Sequence, residues 1–501
     1  MVKRFARYYD GFDLCCALFT QRLKDLCFSF ALFKLLRCRF ARYYDGFEST
    51  FSFFWIQFLK DGEADRVFGV IADELYFLHD YYYSSLPISY SKCWLPTVAI
   101  VISLLSIGYC IFLVVWMLLT LNYFKWVGVE QIWCLVRCQY TGPATFGSLY
   151  FDVVPLLVLS VFVTTAEVKD IISYVCSNWT KVILTCRLVK SDEHSLFVRR
   201  WSARLLLCRC KLMKHWDEKM GQCSVLPLHP RKTLHALVRH LLHLPDQKRE
   251  VSAAVKVSVI NALRNSRSGR LSNGTSALYR WSQEGERFLW ACNSKSASDI
   301  ILTWQIATSI LEVRYPDQQQ SASSGISDHR TVATHLSRYC AYLVRWRSEL
   351  LPDDDAWSKN LYEDVNKDAR QALAGSSSST LDYQQLLKLL NIDKLKHQVL
   401  KNGVELGRQL VETIDSSEET AWKLLADFWS EMILYVPPSD NLDGHKESVA
   451  RGGELITLLW AMLNRAGFVS RTSDAARDAA AAADRTSSDK GSSGTSAGVV
   501  V

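Results

Sequence analysis

The sequence predicts an all-α protein: a membrane helical hairpin followed by a cytoplasmic helical domain. Three observations predict it. Residues Leu95–Leu121 run for 27 residues without a charge. Basic residues bracket the apolar region and are sparse inside it. From about Val225 onward apolar residues recur at helical spacing, and strand-type alternation is scarce.

The 501 residues are 49% apolar and 22% charged, with 16 Trp, 21 Tyr and 23 Phe, too apolar and aromatic for a disordered chain. A net charge of +7 is mild for this length and does not point to nucleic acid. The 15 cysteines contain no CxxC pair. Cys208, Cys210 and His215 in "CRCKLMKH" lack the second ligand pair that tetrahedral zinc normally needs, so no metal site is expected. Reduced thiols and a reducing environment are expected for most of the chain. No cofactor is indicated, since no P-loop, GxGxxG or kinase signature occurs.

Residues 1–90 read as an N-terminal helical and juxtamembrane region. The nine residues "RFARYYDGF" occur at Arg4–Phe12 and again at Arg39–Phe47. Two copies do not make a solenoid, and the first reads as a surplus copy from local duplication. "DLCFSFALFKLLRCRF" (Asp25–Phe40) and "STFSFFWIQFL" (Ser49–Leu59) are apolar helices too short to span.

Residues 91–190 form the membrane region, with spans at about 95–121 and 146–168. The first exceeds the length needed to cross a hydrocarbon core of about 30 Å. Pro96 fits its first turn, and Trp94, Tyr123 and Trp126 flank it as interfacial anchors. The second span, from Phe146, is broken only by Asp152, placed near the membrane edge, with a polar path through the membrane as the alternative. Pro155 is expected to kink or start this helix. The connecting loop holds Lys125 and Arg137, whereas residues 1–45 hold nine basic residues. Both termini are therefore expected in the cytoplasm, where the sequons at Asn178 and Asn273 escape glycosylation.

Residues 191–224 form a basic amphipathic juxtamembrane segment. Arg199, Arg200, Arg204, Arg209, Lys211 and Lys214 interleave with Leu and Trp close behind a span. Such a helix lies on an anionic leaflet and binds lipid headgroups. In the next stretch, His240 and His243 share a helical face, read as amphipathic surface rather than a metal site.

Residues 225–468 form the helical domain and 469–501 a tail biased to Ala, Ser, Asp and Gly, read as disordered. Helices are expected at Lys248–Arg264, Ala297–Tyr315, His329–Pro352, Ser417–Val436 and Glu447–Phe468, with Ser416 or Ser417 and Glu419 as a capping box. Lys423, Asp427 and Glu431 follow at i, i+4 and i+8, so they share one face. Asp427, Glu431, His445 and Glu454 are the candidate catalytic residues. The structural alternative reads Asp427 and Glu431 as a solvated ladder with Lys423. It places Ser448 or a neighbour at a helix cap and uses Gly452–Gly453 for close helix approach.

Three stretches carry a family signature: "DRVFGVIADELYFLHDYYYSS" (Asp65–Ser85), "WQIATSI" (Trp304–Ile310) with "HLSRYCAYLV" and "ELLP", and the closing block Leu425–Phe468. They resemble a plant integral-membrane family of unknown function, with the domain of unknown function DUF4220 as membrane part and DUF594 as C-terminal part. The resemblance covers roughly residues 13–468. It implies a membrane location and a helical cytoplasmic domain, and no established activity. Gln305 stands where the family usually has His, and family members usually carry further spans upstream, so the chain reads as N-terminally shortened. The expectation is a membrane-anchored, non-catalytic interaction or scaffold protein. Its partners are the lipid bilayer, anionic headgroups and an unidentified protein. A membrane-bound enzyme and a subunit of an oligomeric transporter are the alternatives.

Overall fold

The computed structural model describes residues 21–40, 64–84, 95–127, 146–190, 218–226, 248–266, 271–294, 296–316, 324–374, 382–413, 417–438 and 441–468. Helix dominates, as the sequence predicts, with one two-stranded sheet among the described residues. The helices before that sheet are α1 Gln21–Phe40, α2 Ala64–Tyr83, α3 Leu95–Val127, α4 Phe146–Cys176 and α5 Asn178–Lys190. Two compact units emerge, one of residues 1–33 and 76–215, the other of residues 34–75 and 216–501. The units therefore do not follow chain order: residues 64–75 belong with the C-terminal helices.

In the first unit α3 and α4 pack against each other. Thr97–Leu119 is the one stretch among the described residues that is long and apolar enough to cross a membrane, with mean hydropathy 2.8. Its apolar side chains face outward, as do those of α4, with Leu105 and Phe162 each 69% exposed. Pro155 lies inside α4, which begins nine residues earlier, so it does not start the helix. Its missing N–H is tolerable where neighbouring groups re-satisfy the backbone. Ser177 separates α4 from α5, and its hydroxyl accepts from the Trp179 N–H at 3.2 Å. Trp179 then closes an aromatic cluster with Phe30, Phe33 and Phe77, whose ring centroids lie 5.4 to 5.6 Å away. Cys27, Cys110, Cys186, Cys223, Cys292 and Cys340 are free thiols, whereas Cys176 is disulfide-bonded.

Beyond residues 34–75, the second unit continues with strands β1 Lys219–Gly221 and β2 Lys248–Glu250, antiparallel, with Met220 opposite Arg249. The sequence assigned Lys248 to a helix. That helix, α6 Ala253–Asn265, starts only after Ser252, whose hydroxyl caps the Val255 N–H. Then follow α7 Thr275–Arg280, α8 Ser282–Glu286, α9 Ala297–Arg314, α10 Ser324–Trp346, α11 Asp355–Leu373, α12 Tyr383–Leu389 and α13 Gln398–Thr413. The closing elements are α14 Glu418–Tyr435, α15 Leu442–Ala450 and α16 Leu455–Ala466.

Helix α9 is buried on every side from Ile300 to Leu311, the signature of a central core helix. It packs on α13, where Gly403 and Gly407 face it one turn apart. A Cβ at Gly403 would come within 2.7 Å of Ile306, and one at Gly407 within 2.9 Å of Ile310. Helix α14 packs on α10 and lays Phe428 on Trp304, centroids 3.8 Å apart. The final block, expected as one helix from Glu447, is two. Gly452 and Gly453 take φ of 92° and 91°, a left-handed conformation that ends α15 and turns the chain into α16.

Candidate functional site

Asp427, Glu431, His445 and Glu454 lie close together late in the sequence. The structure gives each its own set of partners. Asp427 and Glu431 do share a face of α14, as their spacing predicts. Asp427 accepts from the Trp281 indole N–H at 3.2 Å. Glu431 is 4% exposed rather than part of a solvated ladder. Its carboxylate accepts from the Ser272 hydroxyl, from Ser276 and from the Ala277 backbone N–H. Those donors belong to the start of α7, whose N-cap Gly274 has no side chain to offer. Glu431 therefore serves as a cap supplied from another helix, stabilised by the positive end of that helix. Burial raises its pKa, while the hydrogen bonds and Arg280, 3.8 Å away, oppose the rise.

His445 is fully buried and stacks on Trp460, with centroids 4.5 Å apart. Its Nδ1 lies 3.2 Å from the Thr457 hydroxyl, which donates to the Ser448 hydroxyl at 2.9 Å. Ser448 thus ties α15 to α16 instead of capping it. The cap position of α16 belongs to Glu454, which makes no side-chain cap bond. Glu454 accepts from the Tyr342 hydroxyl at 3.1 Å and pairs with Arg347 at 3.5 Å and Lys248 at 3.9 Å. Burial and the Glu454 charge push the Tyr342 phenol well up. Among the described residues no group of three or more His, Cys, Asp or Glu is placed to hold a metal ion.

Other carboxylates do similar work at helix starts. Asp353 accepts from the Ala297 and Ser298 N–H groups at 3.3 and 2.7 Å, opening α9. Asp354 caps α11 through the Trp357 N–H at 2.8 Å. Asp368 accepts from Lys396 and His397, both at 2.8 Å, just ahead of α13. Asp353 and Asp354 are thereby explained as capping residues, while Asp355 accepts from the Ser348 hydroxyl and from Lys359.

Gln305 is fully buried. Its carbonyl accepts from Val225 N–H at 3.2 Å, and its amide donates to the Ser224 and Ser309 hydroxyls at 3.1 and 2.8 Å. It clamps the extended segment 222–226 onto α9. The same segment is held by Cys223 Sγ, 3.0 Å from the Tyr362 hydroxyl, and by Cys223 N–H donating to the Arg338 carbonyl at 3.0 Å. No local pattern marks this strap, because its partners lie 80 to 139 residues away.

Three ion pairs likewise have no local signature in the sequence. Lys256 of α6 pairs with Glu218 at 2.7 Å and Asp65 at 3.0 Å. Arg465 of α16 donates to the fully buried Glu74 of α2. The expected membrane-surface residues Arg199, Arg200, Arg204, Arg209, Lys211 and Lys214, and the Asp152 side chain, lie outside what the structure describes. So does the tail, where Gly494–Gly498 spells Gly-x-Ser-x-Gly within Ser- and Gly-rich sequence, without the apolar strand that precedes a nucleophile elbow.

These features define an all-α chain with, among the described residues, one helix of membrane-crossing length and a helical unit whose buried acids serve structure. The chain matches the family model described as "Domain of unknown function (DUF4220)" over residues 16–228, and that described as "Protein of unknown function, DUF594" over residues 415–468. It thus carries both domains that its sequence resembles. No curated protein and no solved structure matches it. The DUF4220 match includes Asp65, Glu74 and the strap, all packed in the unit that holds the DUF594 match.

Proposed function

We propose that the chain is a membrane-anchored helical protein that acts by binding a partner rather than by catalysis. The observation that carries this reading is the outward-facing apolar surface of α3, with Leu104, Leu105, Phe112 and Trp116 each more than half exposed. A monomeric soluble protein rarely leaves so large a contiguous apolar face in water. The α3–α4 hairpin is the anchor, both termini face the cytoplasm, and the basic segment behind α4 lies on anionic headgroups. The helical unit presents the partner surface. The capping and packing roles of Asp427, Glu431, His445 and Glu454 favour this reading over an enzyme. Alkaline carbonate treatment of membranes tests the anchor. The protein stays in the pellet on this account, and its release into the supernatant would overturn it. Replacing Leu105 by Arg near the middle of α3 costs about 2.5–3.5 kcal/mol of insertion and reduces the membrane fraction.

A further inference from the structure

Strand β2 has three exposed residues, and its hold on the helical unit is slender. Backbone pairing to β1 is extended by Val251 N–H donating to the Glu218 carbonyl at 2.9 Å. Two side-chain contacts reinforce it: Lys248 to Glu454 at 3.9 Å, and Arg249 to His335 of α10 at 3.1 Å. The second contact has a chemical condition attached. A guanidinium can only donate, so His335 Nε2 must present its lone pair, and the imidazole must be neutral. A protonated ring would turn N–H against N–H across 3.1 Å. The other ring nitrogen, Nδ1, is buried without a hydrogen-bond partner.

We infer that the Arg249–His335 contact is an acid-sensitive clasp, holding β2 on α10 near neutral pH and releasing it when the imidazole takes up a proton. The charges acting on the ring are both positive, Arg249 from β2 and Arg338 from its own helix. Nearby carboxylates are engaged elsewhere: Glu312 on Arg338, Glu218 on Lys256 and Glu454 on Arg347. Glu250 and Lys219 sit opposite each other at the far end of the ladder from Lys248. With burial, the two arginines hold the imidazole down at about 4. Release of β2 lessens the burial and removes the Arg249 charge, so the ring's affinity for a proton rises and acid favours the released state.

Hydrogen exchange of the amides at 248–251, in the full chain in detergent micelles and corrected for intrinsic rates, tests the clasp. Opening rises about tenfold between pH 7.5 and pH 5.0. His335→Gln, whose carbonyl still accepts from Arg249, abolishes that step. Arg249→Met raises exchange at both pH values and shrinks the step. Equal protection of the native chain at both pH values overturns the inference. So does a full-size step in Arg249→Met, which is an exposed substitution with little reach into the core.

Discussion

Glu431 shows how a single residue can look like chemistry and serve structure. Its burial and its raised pKa are features expected of a catalytic acid. Its partners are the hydroxyls and the N–H at the start of α7, and these explain its burial without any substrate. Glu431→Ala should cost about 1–2 kcal/mol in chemical denaturation, and Glu431→Gln clearly less, because the amide keeps an acceptor. Equal losses would remove the capping account. His335 gives the pH signature at this scale. Its folded value, about 4, lies below its unfolded value of about 6.5. The neutral ring's contribution is therefore complete above that unfolded value and is lost as pH falls towards 4. Denaturant midpoints should drop across this window by the equivalent of about 1 kcal/mol, after discount for partial exposure. His335→Gln should flatten the drop. Spacing made the shared face of Asp427 and Glu431 legible in the sequence. Their partners were not, since Trp281 and Ser272 lie about 150 residues upstream and no local pattern links them.

Elements were legible where one local force dominated. Periodicity located α9, and periodicity with a capping serine located α14, where Ser417 does cap the Thr420 N–H. The failures lie where a backbone position or a distant strand decided the outcome. Gly452–Gly453 split the final helix through positive φ, and β2 took Lys248–Glu250 because β1 offered it a ladder. The α9–α13 contact depends on two missing side chains. Gly407→Leu should destabilise the helical unit by about 1–3 kcal/mol, read as a lower melting temperature, since the new Cβ meets Ile310. A melting temperature equal to the native protein's would show that the helices separate freely. Helix α2 adds a second test. Arg465→Met leaves Glu74 buried and unpaired, which should cost about 3–5 kcal/mol. Adding Glu74→Leu should recover much of that loss, because the desolvated charge is then gone.

At the scale of the molecule, the two matched domains are less separate than their boundaries suggest. Asp65, Glu74 and Glu218, all inside the DUF4220 match, pair with Lys256 and Arg465 of the helical unit. The C-terminal helices are therefore completed by residues from far upstream, a long-range dependence that composition and periodicity do not reveal. The long apolar helix α3 was legible because a 27-residue run without charge satisfies a length requirement set by the bilayer alone. Its orientation rests on the distribution of Lys and Arg, and that is the central claim to test. Glycosylation mapping does so most directly, with an acceptor sequon placed in the loop at 128–145 and the native sequons at Asn178 and Asn273 left in place. The account predicts a glycan on the loop sequon and none on Asn178 or Asn273. A glycan on either native site, with the loop unmodified, would contradict it.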